Sequence, residues 1–131
     1  MTPSAGSPFD GAEIISSYSR AQAIEDGVLV DVSDTAREAG LRFPVAVTRA
    51  VWAAYVEVPA GVSCQDEAGR LWDVVSMLRF AIAQGQGGSE IRYQLRVRND
   101  NRRPRLVTLK ALCGPGDQAE PVITIMLPEE D

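Results

Sequence analysis

From Ile91 to Val97 the chain alternates without a break, with Ile91, Tyr93, Leu95 and Val97 at odd positions and Arg92, Gln94 and Arg96 at even ones. A period of two sorts side chains onto the two faces of a strand, one buried and one solvated. Asn99 to Pro104 reads as a turn, and the returning stretch, about 105–113, sets Val107, Leu109, Ala111 and Cys113 on one face and Thr108 and Lys110 on the other. After the breakers Gly114-Pro115-Gly116-Asp117, the run Val122 to Leu127 makes a third strand. A three-stranded meander cannot bury its apolar face alone, so the rest of the chain has to roof it.

Helical spacing supplies the roof. Ile14, Ile15, Tyr18, Ala21 and Ile24 predict a helix over 12–25, with Asp10 as its cap and Gly27 as its stop. Val28 to Val32 is a short β-branched run, expected to join the sheet at an edge or to pair in a short hairpin. Ser33, Asp34 and Thr35 are capping residues, Thr35 and Glu38 have capping-box spacing, and a short helix over 34–39 ends at Gly40. Phe43-Pro44 opens a second main helix over 44–57, with Val47, Val51, Ala54 and Tyr55 along one side. The third, over 67–83, carries Leu71, Val74, Val75, Leu78 and Ile82, widened by Trp72 and Met77, and stops before Gly85, Gly87 and Gly88.

The fold class that follows is α+β. An antiparallel sheet with a C-terminal meander (about 90–98, 105–113 and 122–127) and a further strand at 28–32 packs on helices 12–25, 44–57 and 67–83. Residues 1–10 read as a disordered polar leader, and 11–131 as a single domain, a length able to bury one core without a metal or a disulfide.

The chain has no histidine and two cysteines, Cys64 and Cys113. That composition removes His-ligated zinc, His-activated nucleophiles and imidazole switches, so neither a cofactor nor a metal is expected, and the chain is not expected to be an enzyme. The thiols are read as free, in a reducing compartment. With no apolar run of about 18 residues and no secretory signal, the expectation is a cytoplasmic protein with no membrane contact.

The stretches IEDGVLVDVSDTAREAG (24–40), FPVAVTRAVWAAYV (43–56), GRLWDVVSMLRFAI (69–82) and VTLKALCGPGDQAEPVITIMLPEED (107–131) resemble a family of uncharacterised small proteins. Its members are carried on plasmids, integrative elements and prophage-like islands of proteobacteria. The resemblance implies a bacterial setting and an association with mobile DNA; it brings no catalytic residue to any position here.

Charge is segregated along the chain. Between residues 90 and 110, seven basic residues against Glu90 and Asp100 give a net +5, which leaves −10 for the remainder of a chain whose net charge is −5. On the hairpin, Arg92, Arg96, Arg98 and Lys110 are expected on the exposed face, with Arg102, Arg103 and Arg105 around the turn, a layout fit for phosphates or for an acidic protein surface. The competing expectation is internal: arginines guard a sheet edge and pair with the acids at 129–131.

Other features have plainer readings. Asp26, Asp31, Asp34 and Glu38 suit helix caps and strand flanks better than a cation. Gly85 to Ser89 follows a helix and precedes a strand, the reverse of a phosphate-cradling loop. Cys113 is expected to be a buried thiol, and Trp52, Trp72 and Tyr55 to join the core; an uncovered tryptophan would point instead to a homodimer or a host-protein interface. The function expected is a non-enzymatic accessory protein of a mobile genetic element acting through protein contacts. The alternatives are a counter-defence inhibitor of a host nuclease or CRISPR-type complex, and nucleic-acid binding through the 90–110 hairpin.

Overall fold

A computed structural model of the chain describes residues 18–85 and 88–130. The first helix, α1 (Arg20–Glu25), starts where Ser19 turns extended and its hydroxyl accepts the Gln22 N–H at 3.0 Å. The helix expected from residue 12 therefore has its boundary at Arg20, because a local serine cap ends it; the leader 1–10 and residues 12–17 lie outside the described residues. A short strand, β1 (Leu29–Asp31), and a second helix, α2 (Ser33–Glu38), follow.

Both helices stop by one device. Gly27 (φ +79°) donates to Ile24 O while Val28 donates to Ala23 O, and Gly40 (φ +98°) donates to Arg37 O while Leu41 donates to Ala36 O. These paired bonds satisfy the last carbonyls of each helix, and the left-handed backbone they need favours glycine. Leu41 is delivered into the core by the second of them.

Residues 44–48 differ from the sequence expectation. Val45–Thr48 is a strand, β2, and the helical turn begins only at Arg49, where the Thr48 hydroxyl accepts the Val51 N–H at 3.2 Å. Val45, Ala46 and Val47 are all fully buried, so this strand has no exposed face and shows no alternation; a short run apolar on both sides reads equally as helix. The turn α3 (Arg49–Val51) then widens into a π-helical turn over Trp52–Val56, where Glu57 N–H bonds Trp52 O and Val51 and Val56 both point inward.

The long helix α4 (Glu67–Ala83) lies where its apolar stripe put it, capped by Asp66, whose carboxylate accepts the Gly69 N–H at 2.6 Å. Three strands follow: β3 (Glu90–Val97), β4 (Arg105–Pro115) and β5 (Pro121–Met126). They form the expected antiparallel meander, and the five-stranded sheet of the described residues has the order β1-β2-β5-β4-β3, with β1 and β3 at its edges. Among the described strands only β2 and β5 run parallel, with Val45 opposite Ile123 and Val47 opposite Ile125.

The sheet has two unequal faces. On one, Val45, Val47, Tyr93, Leu95, Leu109, Ala111, Ile123 and Ile125 meet α4, α2 and the 51–56 turn to form the core. Tyr93 is buried there with its hydroxyl donating to Val74 O at 2.9 Å, and burial pushes its pKa above the ordinary tyrosine value. On the other face, Ala46, Val122 and Met126 are buried as well. The cover is α1 and the 127–130 turn: Arg20 donates to Thr124 Oγ1 (2.7 Å) and Ile123 O (2.8 Å), and Glu130 accepts from Thr48 Oγ1 (2.7 Å).

Three side-chain expectations are corrected here. Lys110 is buried rather than exposed, since its ammonium donates to Glu130 O beneath the C-terminal turn. Trp72 is 42% exposed, one residue outside the α4 face that buries Leu71 and Val75, whereas Trp52 and Tyr55 pack on the core. Cys113 is half-buried rather than buried, and both cysteines are free. Among the described residues no helix is long and apolar enough to cross a membrane.

Candidate functional site

The hairpin β3–β4 carries the basic residues, and the structure divides them. Registry pairs Arg92 with Lys110, Gln94 with Thr108 and Arg96 with Leu106, all on the face away from α4. Lys110 is taken up by Glu130 at one end of that row. Arg92 sits beside Glu90 at 3.0 Å on the surface, where such a pair contributes little. Arg96 is exposed, and its cross-strand neighbour Leu106 leaves 51% of its surface in solvent, so a cation and an oily patch stand side by side.

The turn itself is a built object. Asp100 accepts the Arg102 N–H at 2.9 Å, the local bond that lets an aspartate shape a turn. Asn101 accepts the Ser63 N–H at 3.1 Å and donates to Gly61 O at 2.9 Å, and Asn99 donates to Ala54 O at 2.8 Å. Arg98 folds back onto Ser63 O and Asn101. The hairpin end is thereby tied to the 54–65 segment, and Arg98 works as a clamp rather than as a free cation.

Beneath the clamp lies Arg70, buried on α4 with every arm engaged. Its Nε donates to Val56 O (3.1 Å), Nη1 to Arg98 O (2.7 Å) and Gln65 Oε1 (3.3 Å), and Nη2 to Asn99 Oδ1. Burial pulls its pKa down, but an arginine starts high enough to stay charged. Sequence reasoning passed over this residue. The signal was available: Arg70 stands one turn before Val74 on the buried side of α4, a position where a charge needs partners. Beside it, Asp73 shares a small cleft of about 140 Å³ with Arg96 and Arg98, and burial raises its pKa above the ordinary aspartate value.

What remains exposed is Arg92, Arg96, Arg102, Arg103 and Arg105, strung from the strand face to the turn. Among the described residues the two ion pairs are Arg92 with Glu90 and Arg37 with Asp34. The pairing expected between the hairpin and the acids at 129–131 takes another form, a backbone bond from Lys110 to Glu130, and Asp131 lies outside the described residues. The acids near the first strand are engaged separately: Asp26 accepts from the Tyr18 hydroxyl, Asp31 from Ser33 and Asp34 from Arg37.

A second concavity went unread in the sequence. An apolar groove of about 410 Å³ opens between α4, the 40–43 loop and the sheet, floored by Leu78, Ile91, Ala111 and Ile123, with Cys113 in its wall and Arg42 and Arg79 among its lining. No linear pattern announces it, because its residues come from five separate stretches. Gln86 and Gly87, beside its Gly88 margin, lie outside the described residues, as does that part of the expected 85–89 loop.

A family described as "Family of unknown function (DUF6573)" matches residues 6–131. No curated protein and no solved structure matches the chain.

Proposed function

The chain belongs to this family of unknown function, and on that premise we propose that it is a non-enzymatic accessory protein acting through protein contacts, with the exposed arginines of the β3–β4 hairpin as its contact surface. The observation that carries the reading is the group Arg96, Arg102, Arg103 and Arg105, exposed and outside the ion pairs of the described residues, with Arg96 directly across the strands from the exposed Leu106. Arginine is enriched at interfaces and among the residues that carry their binding energy, and here it stands on and beside a braced turn. The setting proposed, a mobile genetic element in a bacterial cytoplasm, rests on the wording of residues 24–40, 43–56, 69–82 and 107–131. The absence of histidine supports a role without catalysis.

One alternative has its own support. The −10 carried outside residues 90–110 suits an inhibitor that occupies a nucleic-acid groove on a host nuclease or CRISPR-type complex. Direct nucleic-acid binding by the hairpin is weaker, because Tyr93, the aromatic among these arginines, is buried and leaves no exposed ring for a base to stack on.

The test is capture from a proteobacterial lysate, with and without nuclease, by the full chain and by a variant with Arg96, Arg102, Arg103 and Arg105 all changed to Ala. A protein kept through nuclease treatment by the wild type and lost by the variant supports the reading. Capture that disappears with nuclease, together with a salt-sensitive gel shift, replaces it with nucleic-acid binding.

A further inference from the structure

Among the described residues strand β3 stands at an edge of the sheet, and its hydrogen-bonding phase is fixed by its entry into the sheet. Cys113 N–H donates to Ser89 O at 2.8 Å, one position before the paired residues Glu90 and Leu112. In an antiparallel ladder bonded and non-bonded pairs alternate. Ile91, Tyr93 and Leu95 therefore spend their backbone groups on β4, and Glu90, Arg92, Gln94 and Arg96 turn theirs outward. Among the described residues no hydrogen bond reaches those outward N–H and C=O groups.

The residues whose backbone groups turn outward from β4 are the same ones whose side chains stand on the exposed face. Each outward amide is thus accompanied by a solvated side chain in the order Glu, Arg, Gln, Arg, a row of net +1, with Arg102, Arg103 and Arg105 at its far end. An edge of unpaired groups is a template for another strand. Here the charge selects which strand.

We infer that the β3 edge receives an extended acidic segment of a partner protein as a sixth strand, with carboxylates at alternate positions opposite Arg92 and Arg96. This rests on the protein-contact reading above and deepens it by naming the partner's chemistry and mode of docking. Opposite charges facing each other across strands attract, and like charges repel. A second copy of this chain is the poorer occupant for that reason: a two-fold pairing centred on Gln94 sets Arg92 against Arg96. Centred on Tyr93, it gives Glu90 to Arg96 but leaves Arg92 facing Gln94, and both rows are net positive.

The test uses the full chain and a synthetic peptide, Thr-Glu-Val-Glu-Val-Glu-Val-Glu-Thr. Two controls are the same peptide N-methylated on the amides that would face β3, and one with Lys for Glu. The protein variant is Gln94→Pro, which deletes one outward N–H without touching the β4 ladder, since proline is tolerated on an outer edge. Its integrity is checked by circular dichroism. The acidic peptide is expected to bind with N-methylation or Gln94→Pro each costing at least about tenfold in affinity. On binding, the amides of Arg92, Gln94 and Arg96 should slow in hydrogen exchange by about tenfold or more, while those of Tyr93 and Leu95 are already slow.

Equal binding of the N-methylated or lysine peptide, unchanged exchange at Arg92, Gln94 and Arg96, or self-association of the chain through this edge overturns the inference. A lysate partner kept by Gln94→Pro but lost with the arginine variant leaves the protein-contact reading standing and removes strand addition alone. Loss of both peptide binding and lysate capture in the wild type removes both.

Discussion

Replacing Arg70 by Met removes the guanidinium while keeping most of the buried stem. Four acceptors lose their donor: Val56 O, Arg98 O, Gln65 Oε1 and Asn99 Oδ1. The two side-chain amides belong to residues at least partly in solvent and turn to water at small cost, so the energetic weight falls on the two backbone carbonyls. Val56 is fully buried, and leaving its carbonyl unsatisfied costs about 1–3 kcal/mol. Arg98 is half-buried, and the loss at its carbonyl is nearer about 1 kcal/mol. The sum, about 2–4 kcal/mol, lowers Tm by about 8–16 °C at roughly 4 °C per kcal/mol for a chain of this size. Thermal unfolding followed by circular dichroism, with urea titration to confirm an unchanged slope, measures it. Arg70→Lys should fall between the two, because a single ammonium cannot span four acceptors. If Arg70→Met melts within about 2 °C of the wild type or above it, the reasoning fails: the buried guanidinium is then a desolvation cost that the fold carries, as buried charges sometimes are.

Lys110→Ala is expected to lower stability by about 1 kcal/mol by freeing the half-buried Glu130 O, and to leave lysate capture unchanged. Arg96→Ala should do the reverse, changing stability by less than about 0.5 kcal/mol while weakening capture. The Asp117 carboxylate accepts the Ala21 and Arg20 N–H groups at the start of α1, which holds its folded pKa below the usual 3.8. A lowered folded pKa means that α1 docking is intact above about pH 3.8 and loosens as pH falls through the folded value. Hydrogen exchange at Arg20 and Ala21 should follow that acid limb, and Asp117→Asn should flatten it. Cys64 is exposed and Cys113 half-buried, so a thiol reagent should label Cys64 first, and Cys64→Ser should remove the fast phase.

The C-terminal half was legible because its residues obey one rule each. The alternation of 91–97, the stripe of 67–83 and the breakers at 114–117 each have an exposed side against which the buried side shows. Val45–Thr48 was misread for the opposite reason, since burial on both faces erases the contrast that periodicity measures. Thr48 as a cap was the better marker of where that helical turn begins. At the site, counting charges found the ribbon, but not which arginines it would keep. The fates of Lys110 and Arg98 are decided by Glu130 and Ser63, 20 and 35 residues away, and such distant partners are invisible to a local pattern. Arg70 is the exception, since a charge on the buried side of the α4 stripe is itself a local sign of a group that needs partners.

The parallel pairing of β2 with β5 carries a consequence for biosynthesis. As the nascent chain leaves the ribosome, β1-β2 and β3-β4 can each zip up as an isolated ribbon, yet the strand that welds them is translated after all four. Until then the inner borders of both ribbons lie bare, and the closing pair spans more than seventy positions, from Val45–Val47 to Ile123–Ile125. Assembly is thus a late, long-range event, slow by its topology, and the half-made molecule is the form most in need of a chaperone.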